Sequence, residues 1–205
     1  GVNKGTANGE SLNLIRDTSG LLTRVLAARI NAQTMEHTAW DFYGRYTLPL
    51  DNFGTFMFNV NATYAEEFLY DLGIGATGKG DGAGSQNETV AEVPPVPQWR
   101  ANGTINWFLN GHSAMVRMRW IDEFDQDIQF FSTFNPPTIE SMFYTDMSYS
   151  YTFDNLLGDR ETKFEIGARN IFDEFPEVIF NLGGIESFVH DIRGRMVYLR
   201  VNQDI

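Results

Sequence analysis

The run Asp122-Glu123-Phe124-Asp125-Gln126-Asp127 gathers four carboxylates in one short stretch. Hard cations such as Ca²⁺ are held by several carboxylate and carbonyl oxygens, so a loop site there is chemically possible. The spacing matches no defined calcium loop. A solvated acidic loop is the plainer reading, and no metal is expected. The histidines, His37, His112 and His190, lie far apart in the sequence. Ser187 stands close to His190, but no nucleophile elbow or triad pattern surrounds the pair. Gly78-Lys79-Gly80-Asp81-Gly82 lacks the flanking strand and helix that make a phosphate loop. The absence of cysteine removes disulfides, thiolate ligands and thiol nucleophiles together. The chain therefore reads as a non-enzyme without a cofactor.

Aromatic and charged residues carry the remaining chemistry. Gln129-Phe130-Phe131-Ser132-Thr133-Phe134-Asn135-Pro136-Pro137 places three phenylalanines in a predicted loop. Exposed Phe is costly unless covered, so the loop either packs on its neighbours or offers a stacking surface to a ligand. Phe130, Phe131 and Phe134 are the leading substrate-binding candidates, with Trp99 and Phe180 behind them. Arg45, Arg117, Arg119, Asp146, Glu165, Arg169 and Arg200 share the polar parity of the strands described next. They read as a self-neutralising ladder, or as contacts to something enclosed by the sheet.

The elements that position these residues are strands, because apolar residues recur with period two. Trp40, Phe42, Gly44, Tyr46 and Leu48 oppose Asp41, Tyr43, Arg45 and Thr47. Phe56, Phe58, Val60, Ala62 and Tyr64 oppose Met57, Asn59, Asn61 and Thr63. The same division holds from Ala101 to Leu109, Ala114 to Ile121, Phe143 to Phe153, Lys163 to Arg169, and Val197 to Asn202. In none of these does Lys, Arg, Asp or Glu fall on the apolar face. Lipid and a second packed sheet would both select this pattern, so periodicity alone does not choose between a membrane barrel and a soluble sandwich.

Connections do discriminate. Short turn chemistry near Pro49-Leu50-Asp51-Asn52-Phe53, Asn110-Gly111-His112 and residues 154–159 alternates with long excursions at 71–97, 123–138 and 173–188. Strict short–long alternation is the plan of a transmembrane barrel. Residues 1–33 are less regular and read as an extracellular hairpin or loop region, with residues 11–16 and 21–30 flanking a turn. Residues 73–84 are Gly-rich and are expected not to pack. Val93-Pro94-Pro95-Val96-Pro97 is a stiff re-entry to the strand beginning near Trp99. A net charge of −12 argues against nucleic acid as a partner. No stretch approaches the roughly 20 apolar residues of a membrane-spanning helix.

The end of the chain carries the most specific signal. Gly167-Ala168-Arg169-Asn170-Ile171-Phe172-Asp173-Glu174-Phe175-Pro176 is followed by His190-Asp191-Ile192-Arg193-Gly194-Arg195-Met196-Val197-Tyr198-Leu199-Arg200-Val201. This pair resembles the closing strands of TonB-dependent outer-membrane receptors, with Ile192 where proline is usual. Val197, Leu199, Val201 and Ile205 keep the rhythm of an outer-membrane assembly signal, although Gln203 interrupts it and Ile205 replaces the customary Phe. The two motifs themselves read as structural, setting strand ends and a turn around Gly194.

The resemblance implies an all-β fold, an antiparallel transmembrane β-barrel. Residues 34–205 would supply about seven C-terminal strands of a barrel of about twenty-two. It implies a cell outer membrane location with the C-terminus periplasmic, and energised nutrient uptake, of saccharides or other large organic substrates. The implied partners are the remainder of the receptor with its plug, the TonB complex through that missing part, outer-membrane lipid, and a surface lipoprotein. The charged ladder would then line the lumen and face the plug. Two alternatives stay open. One is a small complete outer-membrane barrel of about eight strands with a structural or adhesive role, closed by residues 21–30. The other is a soluble β-sandwich carbohydrate-binding module.

Overall fold

A computed structural model describes residues 2–7, 10–16, 19, 21–26, 34–72, 78–87, 93–126, 138–154, 160–179 and 184–203. The strands are β1 (Val2–Ala7), β2 (Glu10–Arg16), β3 (Leu22–Leu26), β4 (Thr34–Leu50), β5 (Gly54–Asp71), β6 (Lys79–Asp81) and β7 (Trp99–Leu109). They continue with β8 (His112–Ile121), β9 (Phe124–Asp125), β10 (Thr138–Ile139), β11 (Met142–Phe153), β12 (Thr162–Arg169) and β13 (Met196–Gln203). The pairings between them are antiparallel. β1, β2 and β3 form a small sheet of their own, so the expected hairpin gains a third strand.

The large sheet runs β13-β12-β11-β8-β7-β5-β4, with β6 added against the far end of β5. Its order follows the chain because each turn returns the strand beside its predecessor. The β7–β8 link is Asn110-Gly111, both at positive φ (46° and 81°), the primed turn whose twist matches that of the paired strands. A Cβ on Gly111 would lie 2.9 Å from the Thr152 carbonyl, so glycine is required there twice over. The sheet is not closed: β4 and β13 are its edges, and β3 pairs with β2 rather than with either edge.

Register keeps the two faces separate across the sheet. Phe42 pairs with Ala62, Ala62 with Ala101, Ala101 with Trp120 and Trp120 with Phe143. Nearer the short turns, Leu48 leads through Phe56, Trp107, Ala114, Tyr149 and Ile166 to Leu199. The apolar residues predicted strand by strand therefore form one continuous surface. Nothing among the described residues covers it: Phe42, Val60, Phe143, Ile166, Val197 and Leu199 are each at least half exposed, up to 73% at Leu199.

β4 and β5 are longer than their alternating segments. A bulge between Thr38 and Ala39 carries them past the apolar band. Glu66, inserted at the bulge, accepts a 2.7 Å bond from the Trp40 indole at the rim of the apolar face. Beyond Tyr64, β5 loses β7 as a neighbour and takes β6 instead. Residues 78–84 therefore pack, contrary to expectation. Gly80 lies so close to Tyr70 that a Cβ would fall 2.5 Å from its hydroxyl, and Gly82 is buried against Asn87. Their glycines permit close approach to β5. Residues 73–77 lie outside the described residues.

Candidate functional site

All three long connections leave the same end of the sheet, and there they interlock. From the β5–β7 connection, Gly84 and Gln86 exchange backbone hydrogen bonds with Asp125 of the β8–β11 connection, at 2.8 and 2.9 Å. Gln86 also donates through Nε2 to the Glu186 carboxylate of the β12–β13 connection, at 2.7 Å, in a buried setting. Phe124 and Ile139 of the β8–β11 connection form a hydrophobic core with Ile179 of the β12–β13 connection, and Val189 packs against it. Burying side chains of this size is worth about 2 kcal/mol each, enough to hold loops that have little regular structure. Asn87 ties the proline segment down, donating to the carbonyls of Gly82 and Pro94 at 2.9 and 2.8 Å.

The paired terminal motifs clasp each other at the edge of this cap. Asn170 exchanges side-chain bonds with the backbone of Glu174, at 2.7 and 3.0 Å. Asp173 accepts from the Arg195 N–H at 2.7 Å, while the Arg195 guanidinium donates to the Ile171 carbonyl at 3.2 Å. Gly194, at φ 65°, makes the turn between them, with Asp173 in the space a side chain would need. Asp191 caps the same turn, accepting from the backbone N–H and guanidinium of Arg193. The Arg193 hydrogen bonds hold the Asp191 carboxyl below its ordinary range.

Under the cap the polar face of the sheet borders two cavities. The first, of 640 Å³, is walled mainly by apolar groups, including Phe68, Val93, Pro95 and Phe188, with His37, Thr63, Gln98 and Arg100 as polar members. The second, of 510 Å³, lies beneath residues 187–193 and is bordered by Arg100, Arg119, Tyr144, His190 and Arg193. Arg119 spans it: its guanidinium reaches Asp146 at 3.3 Å and Asp191 at 3.8 Å, and lies 5.1 Å from the Tyr144 ring centre. Asp146 is itself buried and accepts the Asn170 backbone N–H at 3.0 Å. His190 stacks on Phe124 and is 5% exposed. Burial, with the Arg100 charge behind it, pushes its pKa down to about 4, so the ring is neutral at physiological pH.

The predicted site residues divide accordingly. Phe130, Phe131, Phe134 and Phe180 lie outside the described residues. Trp99 sits on the apolar face, 4.7 Å from the Tyr64 ring centre and 5.9 Å from that of Phe42, away from both cavities. Of the charged set, Arg119 pairs with Asp146 and Arg200 with Glu165, the latter at 3.5 Å, across adjacent strands. Arg45 donates to Asn59 at 2.9 Å. Arg117 and Arg169 have no ion pair among the described residues. The ladder is thus partly self-neutralised.

Sequence reading missed Arg100 and His190. Carrying the alternation back one residue from Ala101 would have placed Arg100 beside Asn102 on the polar face. No local signal marks His190, whose ring stacks on Phe124 of another connection. Asp125 serves the cap through its backbone, and the described residues contain no cluster of His, Asp and Glu suited to a metal. Comparison with protein-family models, with curated proteins and with solved structures finds no match.

Proposed function

We propose that this chain forms part of the wall and external cap of a TonB-dependent outer-membrane receptor that takes up a saccharide or other large organic nutrient and catalyses nothing. The observation that carries the reading is the uncovered apolar face, continuous and in register from β4 to β13. Water penalises such a surface, while lipid accepts it. The face is also graded. Trp40, Tyr64, Trp99 and Phe143 lie toward the long connections, Trp107, Tyr149, Tyr151 and Phe153 toward the short turns, and Val60, Met118, Val116 and Met147 between them. Aromatic girdles flanking an aliphatic band mark a barrel exterior.

The spans of β7, β8 and β11, at 11, 10 and 12 residues, fit a bilayer crossed by tilted strands. The open edges at β4 and β13 require further strands in lipid, because their N–H and C=O groups would otherwise go unsatisfied. A soluble sandwich would leave the apolar face facing a second sheet, and no described segment lies there. The resemblance of the terminal motifs supports the transport class and an external position for the cap.

The test is the native polypeptide recovered from detergent-extracted outer membranes through peptides of this chain. A species several times 23.3 kDa, carrying a plug upstream, is the expected result. Recovery of the chain from the water-soluble fraction, folded without detergent, defeats the proposal.

A further inference from the structure

The cavity beneath residues 187–193 holds more positive charge than its own acids answer. Arg193 is bound to Asp191 through Nε and Nη2, both at 2.9 Å. Arg119 is shared between Asp146 and Asp191. Arg100 lines the cavity and has no acidic partner among the described residues. In a chain of net charge −12, a local cationic excess is not background.

A second observation is independent of charge. His190 borders the same cavity, 5% exposed, and neither of its ring nitrogens has a hydrogen-bond partner among the described residues. The buried Nε of Arg119 has none either. Leaving one buried donor or acceptor unpaired costs about 1–3 kcal/mol. Several such groups are packed behind one cavity wall, and the Arg100 guanidinium is exposed at its surface.

We propose that this cavity binds one oxyanion group, a carboxylate or a phosphate carried by a small organic solute. The Arg100 guanidinium, exposed at the cavity wall, donates to its oxygens, with the charges of Arg119 and Arg193 around it and the His190 ring packed behind. Guanidinium suits this because its donors lie in a plane that matches two oxygens of either anion. The neighbouring cavity shares Arg100 as a wall and is otherwise largely apolar, so a solute with an apolar body has space adjoining its anionic end. The site stands whether or not the apolar face lies in lipid, since each of its groups belongs to the polar face or the cap.

The experiment follows the His190 ring nitrogens by NMR in the intact protein, titrated with inorganic phosphate and, separately, with acetate. Saturable shifts are expected, with the His190 titration midpoint rising because a bound anion favours the imidazolium. The tighter of the two probes identifies the group. Arg100→Gln should weaken binding at least tenfold. Arg100→Lys, which keeps the charge but loses the fork, should fall between it and the native protein. Arg160→Gln, at the short-turn end, should leave binding unchanged. Absence of saturation with both probes overturns the site, and so does equal affinity in the native, Lys and Gln forms.

Discussion

His190 packs one connection of the cap on another, its ring against Phe124, and burial keeps that ring uncharged. Unfolded, it would titrate near 6.5, and in place it does so at about 4. Between those values the opened form binds a proton that the closed form does not. The His190 contribution to cap stability is therefore whole above pH 6.5 and lost progressively as pH falls toward 4. Amide protection factors at Asn87 and Asp125, corrected for the intrinsic pH dependence of exchange, should fall on acidification through that window, and His190→Phe should flatten the dependence. Asp146 is the other sensitive residue, since it accepts from both Arg119 and the Asn170 backbone. Asp146→Ala should cost about 3 kcal/mol, the usual penalty for stranding a buried partner, seen as a lower urea midpoint in detergent.

At the scale of elements, the strands were legible and their ends were not. Period-two alternation survives because each strand keeps one face apolar, and Asn110-Gly111 names its own turn. The bulge at Thr38/Ala39 leaves no such mark, so the full extent of β4 and β5 was hidden. The glycines of residues 78–84 looked too sparse to pack because only the structure shows Tyr70, Asn87 and Gln98 filling the space beside Gly80, Gly82 and Gly84. Which loops meet is a long-range fact, and the cap core joins Phe124 and Ile139 of the β8–β11 connection to Ile179 of the β12–β13 connection. Arginine placed at Val60 or Ile166 should impair membrane insertion by about 2–4 kcal/mol, whereas Asn61→Arg on the polar face should be tolerated. Equal effects on the two faces, in a folding assay with lipid vesicles, would count against a lipid-facing wall. Glu186→Ala should release residues 84–87, with faster exchange there and little change within β11 and β12.

For the whole molecule, the uncovered face makes a spectroscopic prediction. Lipids brominated along their chains should quench fluorescence from the tryptophans of the apolar face, Trp40, Trp99, Trp107 and Trp120, while a water-soluble quencher should reach them poorly. The reverse pattern would remove lipid from the list of partners. The candidate cavities were less legible than the wall, because they arise where connections from distant parts of the sequence close over the polar face.

The Gln86–Glu186 hydrogen bond joins residues 100 apart in the chain. Contacts of that separation form late, since the intervening chain must first be ordered. The cap can lock only once β5 through β12 stand side by side. Its closure therefore serves as a report on assembly: a chain stalled midway through folding would display loose, protease-sensitive connections, and one with its strands in order would hide them. Quality control acting outside the sheet could read that difference without ever touching a strand.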